Sequence, residues 1–212
     1  MAISILIIAL VAYAMGLLDS CSLLSRFVFG EEAAGADYFT LYRRHKWQGV
    51  GYAVLADLLR ALVTVLVGGM LLKRFGFPSV GKLLALLFAL LGQAMPLLPP
   101  ERHMASRQEL VYPALTLLLV DWKLFPVCVA LAVIILALTG SRPLMAAAAA
   151  VALPVFTLVF GGWWLKVVLA LGCGAALIYC YWEELRGLSL RKGGKKRPAG
   201  NGGTDGEDGG RS

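Results

Sequence analysis

From Val50 to Leu72 the chain runs for 23 residues with only two charged side chains, Asp57 and Arg60. The hydrocarbon core of a bilayer is crossed by about 20 apolar residues of helix. Within it every backbone polar group must be bonded inside the protein, which leaves helices and closed barrels as the spanning structures. Similar apolar runs recur along the 212 residues, of which 59% are hydrophobic and 16% charged, with a mean hydropathy of +0.75. Soluble domains carry roughly 45–50% apolar and about 25% charged residues. The composition therefore excludes an ordinary soluble globule and an extended disordered chain. It predicts an all-α, polytopic membrane protein, with length enough for about seven crossings. Four cysteines, three of them inside apolar runs, exclude a disulfide scaffold.

The spans can be placed individually. Ala2 to Leu18 lacks the Lys/Arg start of a signal peptide, and apolar character resumes after Asp19-Ser20-Cys21-Ser22, so a retained first helix is predicted. Val50–Leu72 is the second span. Val80–Leu98 is the third and ends at Pro99-Pro100, which cannot continue a helix. As one helix, Glu109–Leu138 would hold Asp121 and Lys123 near mid-membrane, at ~2.5 kcal/mol or more each. As a hairpin it puts Asp121-Trp122-Lys123 at an interface and Pro126 in the first turn of its second arm. The first arm, Gln108 to Val120, is shorter than a span, which predicts a tilted or re-entrant element. Pro143–Phe160 opens on proline and is rich in alanine, which predicts a tightly packed central helix. Gly161-Gly162-Trp163-Trp164 makes a turn with an aromatic anchor, and a last span follows to about Trp182. Residues 1–185 thus form the membrane domain. Residues 186–212 form a basic, Gly-rich tail that cannot bury apolar surface and is expected to be disordered.

With seven spans, one side collects Arg26, Arg43, Arg44, Lys46, Arg102, Arg107, Arg142 and the seven cations of the tail. The other collects Lys73, Arg74, Lys82 and Lys123. The richer side is expected to be cytoplasmic, with the amino terminus outside and the carboxyl terminus inside a cell membrane.

The order of landmarks resembles the acyl-phosphate:glycerol-3-phosphate acyltransferases, bacterial membrane enzymes that make lysophosphatidate. These landmarks are Gly16, Gly35, Thr40-x-x-x-Arg44, Gly51, Asp57-x-x-Arg60, Gly92-x-x-Met95-Pro96 and Trp182-Glu183-Glu184-Leu185. The resemblance covers about residues 10 to 188 and includes the helix plan. It implies transfer of an acyl group from acyl phosphate to glycerol 3-phosphate, in phospholipid biosynthesis, with no metal, coenzyme or other cofactor. The departures fall on the chemistry. The family's Gly-Ser-Gly-Asn loop reads Ala33-Ala34-Gly35-Ala36, and the asparagine of its Thr-Asn pair is Leu41. The histidine of its Gly-His is Gln93. Its Lys-Gly-Gly-Lys-Gly run reads Arg102-His103-Met104-Ala105-Ser106, and its later serines have no counterpart around Ser141-Arg142-Pro143.

Such a transfer needs a hydrogen-bond acceptor for the attacking hydroxyl, donors for the tetrahedral oxyanion and cations for two phosphates. Asp57 and Arg60 lie three residues apart on one helix face and can pair. Ionisable groups inside a span normally face the protein interior, although Arg60 sits near enough to the inner surface to snorkel. On the resemblance, Arg44 and Arg60 would hold phosphate and Asp57 would orient Arg60. Arg102 and His103, inside the altered phosphate run, complete the candidate substrate-binding set, and no catalytic base can be named. Arg43, Lys46 and His45 also read as positive-inside loop residues on anionic head groups. Lys166 is expected to reach back to the outer interface. Cys173 and Cys180 share a helix face without a His or acidic partner, and packing explains them. The sequence holds no P-loop, dinucleotide fingerprint, paired catalytic carboxylates or zinc spacing.

Two functional readings follow. The first is an acyltransferase whose partners are membrane lipids, acyl phosphate and glycerol 3-phosphate, with neither metal nor nucleic acid. The second is a relative without catalysis that binds lipid or a partner protein in the membrane. A small transporter is weaker, since no internal repeat is visible.

Overall fold

The computed structural model describes residues 1–30, 38–95, 110–160, 163–182 and 184–186. Among them the chain is helical throughout, in eight helices without a strand. These are α1 (Ala2–Leu17), α2 (Ser20–Phe27), α3 (Tyr38–Lys73), α4 (Pro78–Ala94), α5 (Val111–Val120), α6 (Leu124–Thr139), α7 (Arg142–Val159) and α8 (Trp164–Cys180). Two of them, α3 and α7, are long and apolar enough to cross a membrane. A third candidate span is added if α1 and α2, bent by 60° at their junction, count as one. The helices α4, α5, α6 and α8 are apolar but shorter. Gly35, Arg102, His103, Arg107 and the tail beyond Arg186 lie outside the described residues.

Local chemistry sets the boundaries. Asp19 caps α2 by accepting hydrogen bonds from the backbone N–H groups of Cys21 and Ser22, at 3.1 and 3.3 Å. Lys46 takes a positive φ of 53° and divides α3 into an entry stretch and the apolar helix proper. The chain breaks at Asp121–Lys123, as the cost of burying those charges predicts, and Pro126 falls in the first turn of α6. Pro143 sits in the first turn of α7.

The interior organises around α4. Ala85 and Ala89 join Ile8 and Ala12 of α1, Ala61 and Leu72 of α3 and Tyr112 of α5 in one apolar cluster. On its other side, Leu86 and Leu90 join α5, α6, α7 and α8 in a second. The alanine-rich segment was expected at the centre. Instead α7 packs chiefly against α6 and α8, and α4 occupies the middle. Helix position follows from where backbones can touch, and the closest approaches belong to α4. A Cβ on Gly16 would fall 2.1 Å from the Ala89 carbonyl oxygen, and Gly68 and Gly81 each lie against the other's carbonyl. Small residues at such crossings let helices meet without a hydrophobic driving force between them. Pro154, inside α7, leaves the Ala150 carbonyl without its helical donor. That carbonyl lies against Gly174 of α8, where a Cβ would come within 2.4 Å. The outer faces of α1, α3, α7 and α8 expose Leu6, Leu10, Leu59, Leu66, Val155, Leu158 and Leu171, a surface suited to membrane association.

Gly81→Val is expected to destabilise the bundle by about 1–3 kcal/mol through overpacking against α3. Gly51→Ala, where an added Cβ meets open space, should stabilise α3 by about 0.5–1 kcal/mol. Unfolding midpoints of the two variants in detergent, beside the unsubstituted chain, test the contrast.

Candidate functional site

Asp57 and Arg60 form a buried ion pair at the bend between α1 and α2. Asp57 is fully buried and Arg60 is 8% exposed, and Arg60 Nη1 donates to Asp57 Oδ1 at 2.6 Å. The same nitrogen donates to Ser20 Oγ at 2.8 Å, and that hydroxyl donates to Asp57 Oδ1 at 2.5 Å. Tyr38 at the start of α3 donates to the other carboxylate oxygen, Oδ2, at 2.5 Å. The remaining edge of the guanidinium closes on the end of α1, where the Met15 carbonyl accepts from Nε at 3.1 Å and from Nη2 at 2.5 Å.

These contacts answer a local problem in the chain. A helix ends with four carbonyls that lack intrahelical donors, and in apolar surroundings each must be bonded elsewhere. The chain leaves α1 at Leu18 and starts α2 two residues later at an angle. Arg60 supplies N–H donors to the end of α1, while Asp57 fixes the first residue of α2. The face of the guanidinium lies over the Tyr112 ring at 4.3 Å. The Tyr112 hydroxyl is 2.9 Å from Thr64 Oγ1. Four helices, α1, α2, α3 and α5, therefore converge on one charge pair.

The other sequence candidates take different places. Arg44 is exposed, on the stretch of α3 that precedes the break at Lys46. Arg43 lies over the Phe39 ring at 4.4 Å, and His45 stacks on Phe29 with ring centroids 3.7 Å apart. Arg102 and His103 fall outside the described residues. Lys166, two residues past Trp164, lies near the start of α8. It is half-buried and lines a small polar recess, about 80 Å³, with Ser79, Asp121 and Thr157. Cys173 is buried where α8 meets α4. Among the described residues, no group of three or more His, Cys, Asp or Glu side chains could hold a metal ion.

Sequence reasoning finds the pair but misses Ser20, Tyr38, Tyr112 and the Met15 carbonyl. One signal was available for Ser20: an Asp with serines close behind it, between two apolar stretches, marks a capped helix start. Nothing local marks Tyr38, which folds back on the pair from the far side of the break at Lys46 in α3, or Tyr112, which reaches it from α5. Compared with known proteins, the chain matches no family model, no curated protein and no solved structure.

The arrangement can neutralise, cap and lock; its cation has little left to offer a ligand. Removing one partner of a buried ion pair costs about 3–5 kcal/mol because the other charge is stranded. Asp57→Ala and Arg60→Ala are each expected to destabilise the chain on that scale. The double variant should cost clearly less than the sum, a coupling read from a double-mutant cycle of unfolding free energies.

Proposed function

We propose that this chain is a lipid-binding membrane protein built on the plan of the acyl-phosphate:glycerol-3-phosphate acyltransferases, without their catalysis. The observation that carries this reading is the engagement of Arg60. A phosphate-holding arginine must present its N–H fork to the ligand, whereas Arg60 gives its donors to Asp57, Ser20 and the Met15 carbonyl. Gln93 and Leu41 stand where the resemblance expects a histidine and an asparagine, which supports the same conclusion.

On this reading the eight helices make seven membrane segments, with α1 and α2 as one bent span. At ten residues and about 15 Å, α5 is a partial crossing. Exposed Trp122, Trp163 and Trp164 then anchor one interface, and exposed Trp47 and Trp182 the other. The amino terminus faces outward and the basic carboxyl-terminal tail lies in the cytoplasm, beside anionic lipid.

The active-acyltransferase reading draws on one feature. The Ser20 hydroxyl lies between a carboxylate and a guanidinium, a grouping that acyl transfer can use. The test is direct. Purified protein, given acyl phosphate and labelled glycerol 3-phosphate, is expected to yield no lysophosphatidate above a protein-free control. Turnover that disappears in Ser20→Ala, with folding intact, would overturn the non-catalytic reading and establish the enzyme. A reporter fused after Ser212 is expected to register the cytoplasm.

A further inference from the structure

We propose that the half-open cavity between α4, α5, α6, α7 and α8 binds one alkyl chain of an anionic phospholipid, with the head group at the amino end of α7. The cavity measures about 210 Å³, and its lining includes Pro113, Leu117, Cys128, Val133, Met145 and Leu153. Every lining side chain is Leu, Val, Ala, Pro, Met or Cys. A water molecule needs two to four polar partners, and an apolar cavity of about 150 Å³ stays dry and takes up benzene. The cavity is larger than that and equally apolar, so it suits hydrocarbon. A bilayer supplies alkyl chains as the surrounding solvent.

Its shape and its polar end point to an amphiphile. On α7 it follows a single face through Met145, Ala146, Ala149 and Leu153, a run of about 12 Å at 1.5 Å per residue. One turn earlier, that face carries Ser141 and Arg142. Ser141 Oγ is buried and has no hydrogen-bond partner among the described residues. Ser141 also makes no side-chain cap on α7; Pro143 has no N–H and Met145 N–H goes to the Ser141 carbonyl, which leaves the N–H groups of Arg142 and Leu144 for an anion. Arg142 beside them is exposed. A chain in the cavity would bring its head group to the exposed Arg142 guanidinium and these two amides, next to Ser141. The inference deepens the lipid-binding reading and rests on it, but not on the loss of acyl transfer.

The test uses the full chain in nanodiscs containing phosphatidylglycerol with a diazirine on one acyl chain, and phosphatidylcholine labelled in the same way. After illumination, adducts are mapped by peptide mass spectrometry. Phosphatidylglycerol is expected to label the segments holding Cys128 and Met145. Ala149→Phe, which fills the cavity, should cut that labelling at least fivefold. Arg142→Gln, at an exposed position, should lower it several-fold for phosphatidylglycerol and leave phosphatidylcholine unchanged. Ala132→Leu, a milder filling on α6, covers the case in which the phenylalanine variant does not fold. Labelling at Cys128 and Met145 that survives both fillings would overturn the site. Head-group-selective labelling at some other position would overturn it while leaving a lipid-binding protein. Labelling spread evenly over outward residues such as Leu10 and Leu171, with no head-group preference, would overturn both.

Discussion

A guanidinium among apolar helices has to find acceptors within the protein, because hydrocarbon offers none. Arg60 finds them on three sides: a carboxylate one turn away, a hydroxyl at the head of α2 and the Met15 carbonyl near the end of α1. The rest of this end of the bundle follows from that requirement. If α1 ran straight into α2, the Met15 carbonyl would be consumed by its own helix and Arg60 would lose an acceptor. The 60° bend frees the carbonyl, and the guanidinium in turn makes the bend tolerable in an apolar medium. Each is the condition for the other. Replacing a buried pair of this kind with apolar side chains of similar size is often neutral for stability. The pair therefore specifies the path of the chain more than it supplies net energy.

Away from the charge pair, backbone proximity takes over. In a bilayer, whose tails are as apolar as leucine, burying side chains between helices would gain little, and close van der Waals contact would have to hold them together. Helix α4 meets α1 at Gly16 and Gly92 and α3 at Gly68 and Gly81, in each case with one backbone against another. At the α7–α8 crossing, the carbonyl released by Pro154 is turned toward Gly174. Such a contact allows a weak Cα–H···O interaction in place of the lost helical bond.

Much of this plan is legible in the sequence, and the residues that are not legible share a cause. The apolar runs, the break at Asp121–Lys123 and the start of α7 at Pro143 each follow from a cost that acts within a few residues. The pairing of Asp57 with Arg60 is equally local, since i and i+3 share a helix face. Ser20 and Tyr38 reach the pair from positions 37 and 19 residues away, and no period or spacing in one sequence records such a meeting. The central place of α4 is hidden for a related reason. Alanine content marks α7 as able to approach its neighbours closely, but single glycines, set against single carbonyls, decide which helix does. The same distinction applies to the phosphate-binding candidates. Arg60 has the residue type that phosphate binding asks for, yet four of its five N–H groups go to Asp57, Ser20 and the Met15 carbonyl.

The short helix α5 joins these two regimes. Its Tyr112 and Thr116 are buried toward α3, with the Tyr112 hydroxyl at Thr64 and the ring under Arg60. Leu110, Pro113, Ala114 and Leu117, on the other side of the helix, line the apolar cavity. Ten residues thus separate a charged compartment from a hydrocarbon one. A full-length span would serve the purpose no better, because only the stretch that faces both compartments needs this two-sided pattern. The wall of the cavity and the contacts to the charge pair thus fall on opposite sides of one short helix, with the Tyr112 ring on the side of Arg60.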